Sequence, residues 1–126
     1  MTYVRAELRR LVIERAGICC EYCLLSQEDN LFAFHVDHII SEKHGGMTES
    51  DNLCLSCPYC NTFKGSDIAS IDRETGRVAL LFNPRVQLWS GHFRHNGPVI
   101  EPLTPEGRIT VILLRVNRDE QVSERA

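Results

Sequence analysis

Residues 52–65 read NLCLSCPYCNTFKG. A short apolar run through Leu53, Cys54 and Leu55 passes into Cys57-Pro-Tyr-Cys60. Pro58 then stands where the first turn of a helix tolerates a missing N–H. The stretch predicts a strand over Asn52–Ser56 and a helix from Pro58 to Gly65, joined through a pair of cysteines three apart. Upstream, Cys20-Glu-Tyr-Cys23 supplies a second such pair. Two C-x2-C pairs can offer four thiolates to one zinc ion at about 2.3 Å each, closing a tetrahedron with no open position. Zinc bound by Cys20, Cys23, Cys57 and Cys60 is therefore expected to be structural. The remaining cysteines, Cys19 and Cys54, read as small buried apolar residues.

Between the pairs lies FHVDHIISEKHGG, residues 34–46. Residues 32–40, rich in aromatic and β-branched types, predict a strand. Gly45 and Gly46 sit in a polar stretch that must turn the chain, so the strand pairs with 52–56 as a hairpin with a long loop. The zinc would clamp the two flanks of that hairpin and leaves its polar residues to be explained. Asp37, His38, Asn52 and Asn61 form the set. Strand alternation points Asp37 and His38 to opposite faces, so one site takes both only if the strand ends or bends there. A carboxylate and an amide oxygen suit Mg²⁺ or Mn²⁺, and a histidine near its ordinary pKa of about 6.5 can take a proton from water. Metal-assisted phosphodiester hydrolysis is one reading. Buried polar residues satisfying hairpin hydrogen bonds is the other.

The rest of the chain is consistent with one domain of 126 residues, 43% hydrophobic and 25% charged. Val4, Leu8, Leu11 and Val12 recur at helical spacing ahead of Gly17 and predict a helix over Thr2–Ala16, with Arg5, Arg9, Arg10 and Arg15 on or near its outer face. After Gly65 the expectations are a turn at 72–76, a strand over 77–82, and an irregular wrap through Trp89, Phe93 and Asn96-Gly97-Pro98. A final helix opens at Thr104-Pro105, with Ile109, Ile112, Leu113 and Val116 on one face. No apolar run approaches the roughly 20 residues of a membrane span, and the charged first fifteen residues do not read as a secretory leader. Six cysteines clustered in ligand spacing fit a reducing, cytoplasmic setting. The net charge of −3 runs mildly against nucleic acid, although the N-terminal arginines leave room for a local basic face.

The order Cys20-x2-Cys23, Asp37-His38-Ile39-Ile40, Gly45-Gly46, Asp51-Asn52-Leu53, Cys57-x2-Cys60-Asn61, Lys64-Gly65 resembles the HNH endonuclease family over about residues 17–66. The resemblance implies an α+β fold. Its core is a ββα-metal unit stapled by the four-cysteine zinc site, with an N-terminal helix before it and a strand/helix extension, 67–126, after it. It implies a DNA endonuclease with one catalytic Mg²⁺ or Mn²⁺ beside the structural Zn²⁺. His38 matches the general base, Asp37 a metal ligand, and Asn52 the central asparagine that braces the loop. Asn61 falls where a second histidine usually stands, which makes this an H-N-N variant similar to the HNH domain of RNA-guided CRISPR nucleases. Ser41 stands where many members carry proline. His35 shares strand parity with Asp37 and reads as a contact of the metal or as a packed hairpin residue. His44 reads as a phosphate contact or a solvated loop residue, and Lys64 as a phosphate contact or a surface lysine. The rival readings are a non-catalytic zinc-stabilised module that binds DNA or protein, and a thiol oxidoreductase.

Overall fold

The structure, a computed structural model, describes residues 3–126, with only the backbone of Asp29. Helix α1 spans Ala6–Arg15, and strands β1 (His35–His38) and β2 (Leu53–Ser56) form an antiparallel hairpin that runs directly into helix α2 (Pro58–Lys64). Two further antiparallel ribbons follow, β3 (Ala69–Ile71) with β4 (Val78–Leu80) and β5 (Phe93–Asn96) with β6 (Val99–Pro102). Helices α3 (Pro105–Leu114) and α4 (Asp119–Arg125) close the chain. The architecture is α+β, as the sequence predicts.

The hairpin sits at the centre because its neighbours cover it on several sides. Leu53, Cys54, Leu55 and Ser56 are all fully buried, and α1 packs on β2 and β1 with Val12 at the core. A two-stranded sheet leaves the outer edge of β2 with unpaired backbone groups. Two side chains cover it. The Arg15 guanidinium donates to the carbonyl of Leu53 (2.9 Å) and to Ser50 Oγ (2.8 Å). Glu21 accepts from Leu55 N–H at 2.9 Å and returns its own N–H to the Leu55 carbonyl. Arg15 is thus taken up by the fold, and Arg5, Arg9 and Arg10 carry the exposed basic face of α1.

Several boundaries differ from expectation. Helix α1 starts at Ala6 because Arg5 is extended and offers no side-chain cap; the expected start at Thr2 lies outside the described residues. Strand β1 is shorter than 32–40, and Phe32 at its expected start is exposed. Strand β3 was not anticipated. The expected irregular wrap contains a regular ribbon, in which Asn96 pairs with Val99 across a two-residue turn and Gly97 supplies a φ of +60°. Each strand buries a single apolar residue, Phe93 or Ile100, which is too few to show as a hydrophobic pattern. Arg94 and Asn96 both bind Glu101 across the ribbon (2.8 and 2.7 Å). On α3 the buried face is Ile109, Thr110 and Leu114, with Ile112 turned to solvent.

The 67–126 segment is fastened to the hairpin unit by polar anchors as well as packing. Trp89 Nε1 donates to the Tyr22 carbonyl (2.9 Å), Arg85 pairs with Glu21, and Arg125 reaches the carbonyls of Val116 (2.6 Å), Pro98 (2.7 Å) and Cys23 (3.3 Å). Arg115 and Arg118 lie over the Phe63 ring of α2. Within the segment, Asp72 is almost wholly buried and receives two bonds from Arg108 of α3, both 2.9 Å. The Arg108 guanidinium holds the Asp72 carboxyl well below the usual carboxylate range. A carboxyl lowered on folding stabilises the folded state fully above its unfolded value of about 3.9 and loses that contribution as pH falls through the folded value. Asp72→Asn should therefore lower the melting temperature at pH 7, and the gap between variant and parent should narrow below about pH 4. A gap that stays constant from pH 7 to pH 3 would show that this ion pair does not couple to folding.

Candidate active site and metal centre

The four cysteines of the two C-x2-C pairs converge. Their sulfurs all lie within 4.8 Å of one another and are buried, with Cys23 Sγ 3.6 Å from Cys57 Sγ. Four thiolates at about 2.3 Å from a tetrahedral zinc stand about 3.8 Å apart, so the cluster fits that ion. Backbone geometry builds the cage. Cys57 is the N-cap of α2, its sulfur accepting from Cys60 N–H (3.4 Å). On the other side the chain folds back between Cys20 and Leu25, with Leu24 N–H bonded to the Cys20 carbonyl (2.9 Å) and Leu24 held at φ +64°. A leucine at that φ is strained, and the closing of the turn holds it there. Burial pushes the Cys20 thiol up, but sulfur contacts with Cys23, Cys57 and Cys60 outweigh it and hold Cys20 well below its ordinary value. Cys54 lies outside the cage, wholly buried, its sulfur 3.6 Å from the Tyr22 hydroxyl. Burial pushes both the Cys54 thiol and the Tyr22 hydroxyl up, so both stay protonated. Cys19 is half-buried, less enclosed than expected.

Strand β1 presents the polar residues. The register pairs Asp37 with Cys54 and His38 with Leu53, so Asp37 shares the face of His35, Cys54 and Ser56. The strand ends at His38, and both Asp37 and His38 are still paired within it. The His38 imidazole is held at Nε2 by Thr48 Oγ1 (2.8 Å). Thr48 is a contact that sequence reading missed, because nothing in its spacing marks it. Asp37 is half-buried, and its Oδ2 is buried without a hydrogen-bond partner. Burial pushes the Asp37 carboxyl up. The Lys64 ammonium, the main-chain N–H of His38 and the charges of His38 and His35 oppose that rise. A buried carboxylate oxygen without a partner is costly and is what a cation site requires of its anionic ligand.

Asn52 organises the loop that follows. Its Oδ1 accepts from Ile40 N–H (2.9 Å), and its Nδ2 donates to the carbonyls of Ile40 (2.8 Å) and Met47 (2.9 Å). One side chain therefore closes the loop across its base. Gly46 is needed for this closure. A Cβ there would stand 1.7 Å from the Ile40 carbonyl oxygen and 2.8 Å from Asn52 Nδ2. Gly45 provides the left-handed cap (φ +88°) of the turn 42–44. Ser41, where proline was the resemblance's expectation, has φ −65°, the angle that a proline ring imposes.

The remaining site residues are placed as follows. Asn61 is half-buried on α2, one turn before Lys64. His35 and His44 are exposed. Lys64 is not the surface residue that a bland reading expects: it is 2% exposed, and its ammonium donates to the His38 carbonyl at 3.2 Å. Among the described residues the cysteine cage is the only cluster of three or more His, Cys, Asp or Glu ligands. An ion at Asp37 would therefore draw on amide oxygen and water.

Residues 20–67 match the HNH endonuclease family. The match begins at the first cage cysteine and ends just past α2, so it covers the cysteine cage, the hairpin, the Asn52 loop and Lys64. It supports a nuclease or nucleic-acid-binding role for the HNH region. No curated protein and no solved structure matches the chain. Among the described residues no helix is long and apolar enough to cross a membrane.

Two outcomes follow from this geometry. Cys57→Ser should remove bound zinc and the cooperative unfolding transition together, since it deletes both a ligand and the cap of α2; a variant retaining one equivalent of metal would contradict the cage. Gly46→Ala should keep zinc but open the loop, read as lost hydrogen-exchange protection at the Ile40 amide. Unchanged protection there would count against the Asn52 brace.

Proposed function

We propose that the chain is a metal-dependent DNA endonuclease acting by the one-ion HNH mechanism, with 1–126 as one domain and 67–126 as its extension. The reading rests on one observation above others: the HNH match falls on a hairpin where the buried, unpartnered Asp37 Oδ2 stands next in sequence to a tethered His38. Asp37 and Asn61 would hold Mg²⁺ or Mn²⁺, and the bound ion would supply charge neutralisation at the scissile phosphate and the departing 3′ oxygen. Both donors are hard oxygens, and replacing the usual histidine by Asn61 favours those ions over a softer one.

His38 takes a proton from water as the water oxygen bonds to phosphorus. The bond from phosphorus to the 3′ oxygen breaks, and that oxygen is reprotonated from solvent, leaving a 5′ phosphate and a 3′ hydroxyl. In the tautomer whose Nε2 donates to Thr48, Nδ1 carries the lone pair that the reaction needs. Asn52 contributes by fixing the loop whose main chain leaves His38, so its role is to orient the base. In this reading His35 would touch the metal or orient its ligand, and His44, exposed on the loop, would contact backbone phosphate.

A non-catalytic zinc module would bind DNA with the same affinity whether or not His38 is present, and would cut nothing. His38→Ala should lower plasmid nicking in Mg²⁺ or Mn²⁺ by about 10²–10⁴-fold while zinc content and melting temperature stay near those of the parent. Thr48→Val should give a smaller loss. Undiminished nicking by His38→Ala sinks the assignment of the base. DNA binding without nicking by the unaltered protein, under either ion, sinks the enzyme reading.

A further inference from the structure

Lys64 is the least expected feature of the HNH region. A lysine almost wholly withdrawn from water has to find compensation for a charge that burial penalises. Its ammonium donates to the main-chain carbonyl of His38 at 3.2 Å. Among the described residues no carboxylate approaches it within 4.0 Å. Lys64 opposes the rise that burial imposes on Asp37, a half-buried carboxyl with one buried, unpartnered oxygen. Lys64 projects from the last turn of α2, immediately before Gly65, whose φ of +51° and N–H to the Asn61 carbonyl end the helix. The position of the ammonium is thus set by the same helix that begins at the cysteine cage.

We propose that Lys64 is a positioning residue of the candidate active site, a buried cationic strut that fixes the His38 main chain and balances the Asp37 charge so that the hairpin is preassembled before an ion or substrate arrives. This inference builds on the proposed nuclease function, but the Lys64–Asp37 relation can be measured without it. The hydrogen bond acts on the backbone of the base. The charge acts through space on the ligand. One side chain therefore couples the two adjacent residues that a strand would otherwise direct to opposite faces. Preorganisation of this kind appears in the rate of the chemical step rather than in substrate affinity.

The test is a double-mutant cycle of Lys64→Met and Asp37→Asn in the zinc-loaded protein without added Mg²⁺ or Mn²⁺, read by melting temperature. Methionine keeps most of the stem volume while deleting the charge and the donor. The loss from Lys64→Met should shrink by at least half when Asp37 is already Asn, because the uncompensated buried carboxylate is gone. Additive losses overturn the proposal. If Lys64→Met alone does not fold, the double variant should fold and bind zinc; failure of both also overturns it. In nicking assays with Mn²⁺, Lys64→Met should lower kcat about tenfold or more with KM for DNA within about twofold. A raised KM with unchanged kcat would mark Lys64 as a phosphate contact and refute the strut. A non-additive cycle in a protein that cuts no DNA would refute the nuclease reading while upholding the strut.

Discussion

The hairpin unit depends on four sulfur atoms meeting. Cys20 and Cys23 lie in a tight turn after α1, and Cys57 and Cys60 open α2. Bringing them within 4.8 Å fixes the two segments that flank the β1–β2 hairpin. The hairpin is too small to stand alone, since a two-stranded ribbon is marginal in water. Held at both flanks, it can be covered by α1 on one side and Lys64 on another. Its outer edge is closed by Arg15 and Glu21. Four buried thiolates facing one another are an unfavourable group unless their charge is compensated. A divalent ion of thiolate preference compensates it.

A second constraint is the loop between the strands. Its conformation is stored in one side chain and one absence of a side chain. Asn52 makes three bonds to the main chain at Ile40 and Met47, and Gly46 lets the Ile40 carbonyl approach to a distance that no Cβ allows. These residues touch the backbone just beyond His38. The chemistry proposed for His38 therefore rests on backbone placement by Asn52 and on ring placement by Thr48. One tether acts on the imidazole and the other on the main chain that follows it.

Legibility in the sequence varied with the kind of signal. Cysteine spacing gave the cage because a tetrahedral ion imposes a strict geometric demand that leaves a spacing record. The hairpin and α2 were legible because Leu53–Leu55, Pro58 and Gly65 are strong local signals, each reinforced by the next. The β5–β6 ribbon was not. It buries only Phe93 and Ile100, while Arg94, Asn96 and Glu101 bond across the strands on its exposed face, so no long apolar alternation marks it. Helix α4 was missed for a related reason: its single buried residue is Gln121, and Arg125 fastens it through main-chain carbonyls. Asp37, His38, Asn52 and Asn61 were proposed for the site from their order along the chain. Thr48 and the burial of Lys64 depend on how the loop and helix close in space, which order does not encode.

The location of Lys64 explains why the polar residues of the hairpin tolerate so apolar a setting. Asp37 faces Cys54 and lies near the buried Tyr22 hydroxyl, surroundings that disfavour a negative charge. Exposure to water would relieve that cost but would loosen the carboxylate. A fixed cation on α2 relieves part of it without adding freedom. The remaining cost stays with the unpartnered Oδ2, and under the proposed function that oxygen is the one reserved for an ion. Fold stability and readiness for a cation are thus opposed at Asp37 and joined at Lys64. A substitution that made Asp37 more comfortable in the folded chain would remove the reason for a metal to bind there.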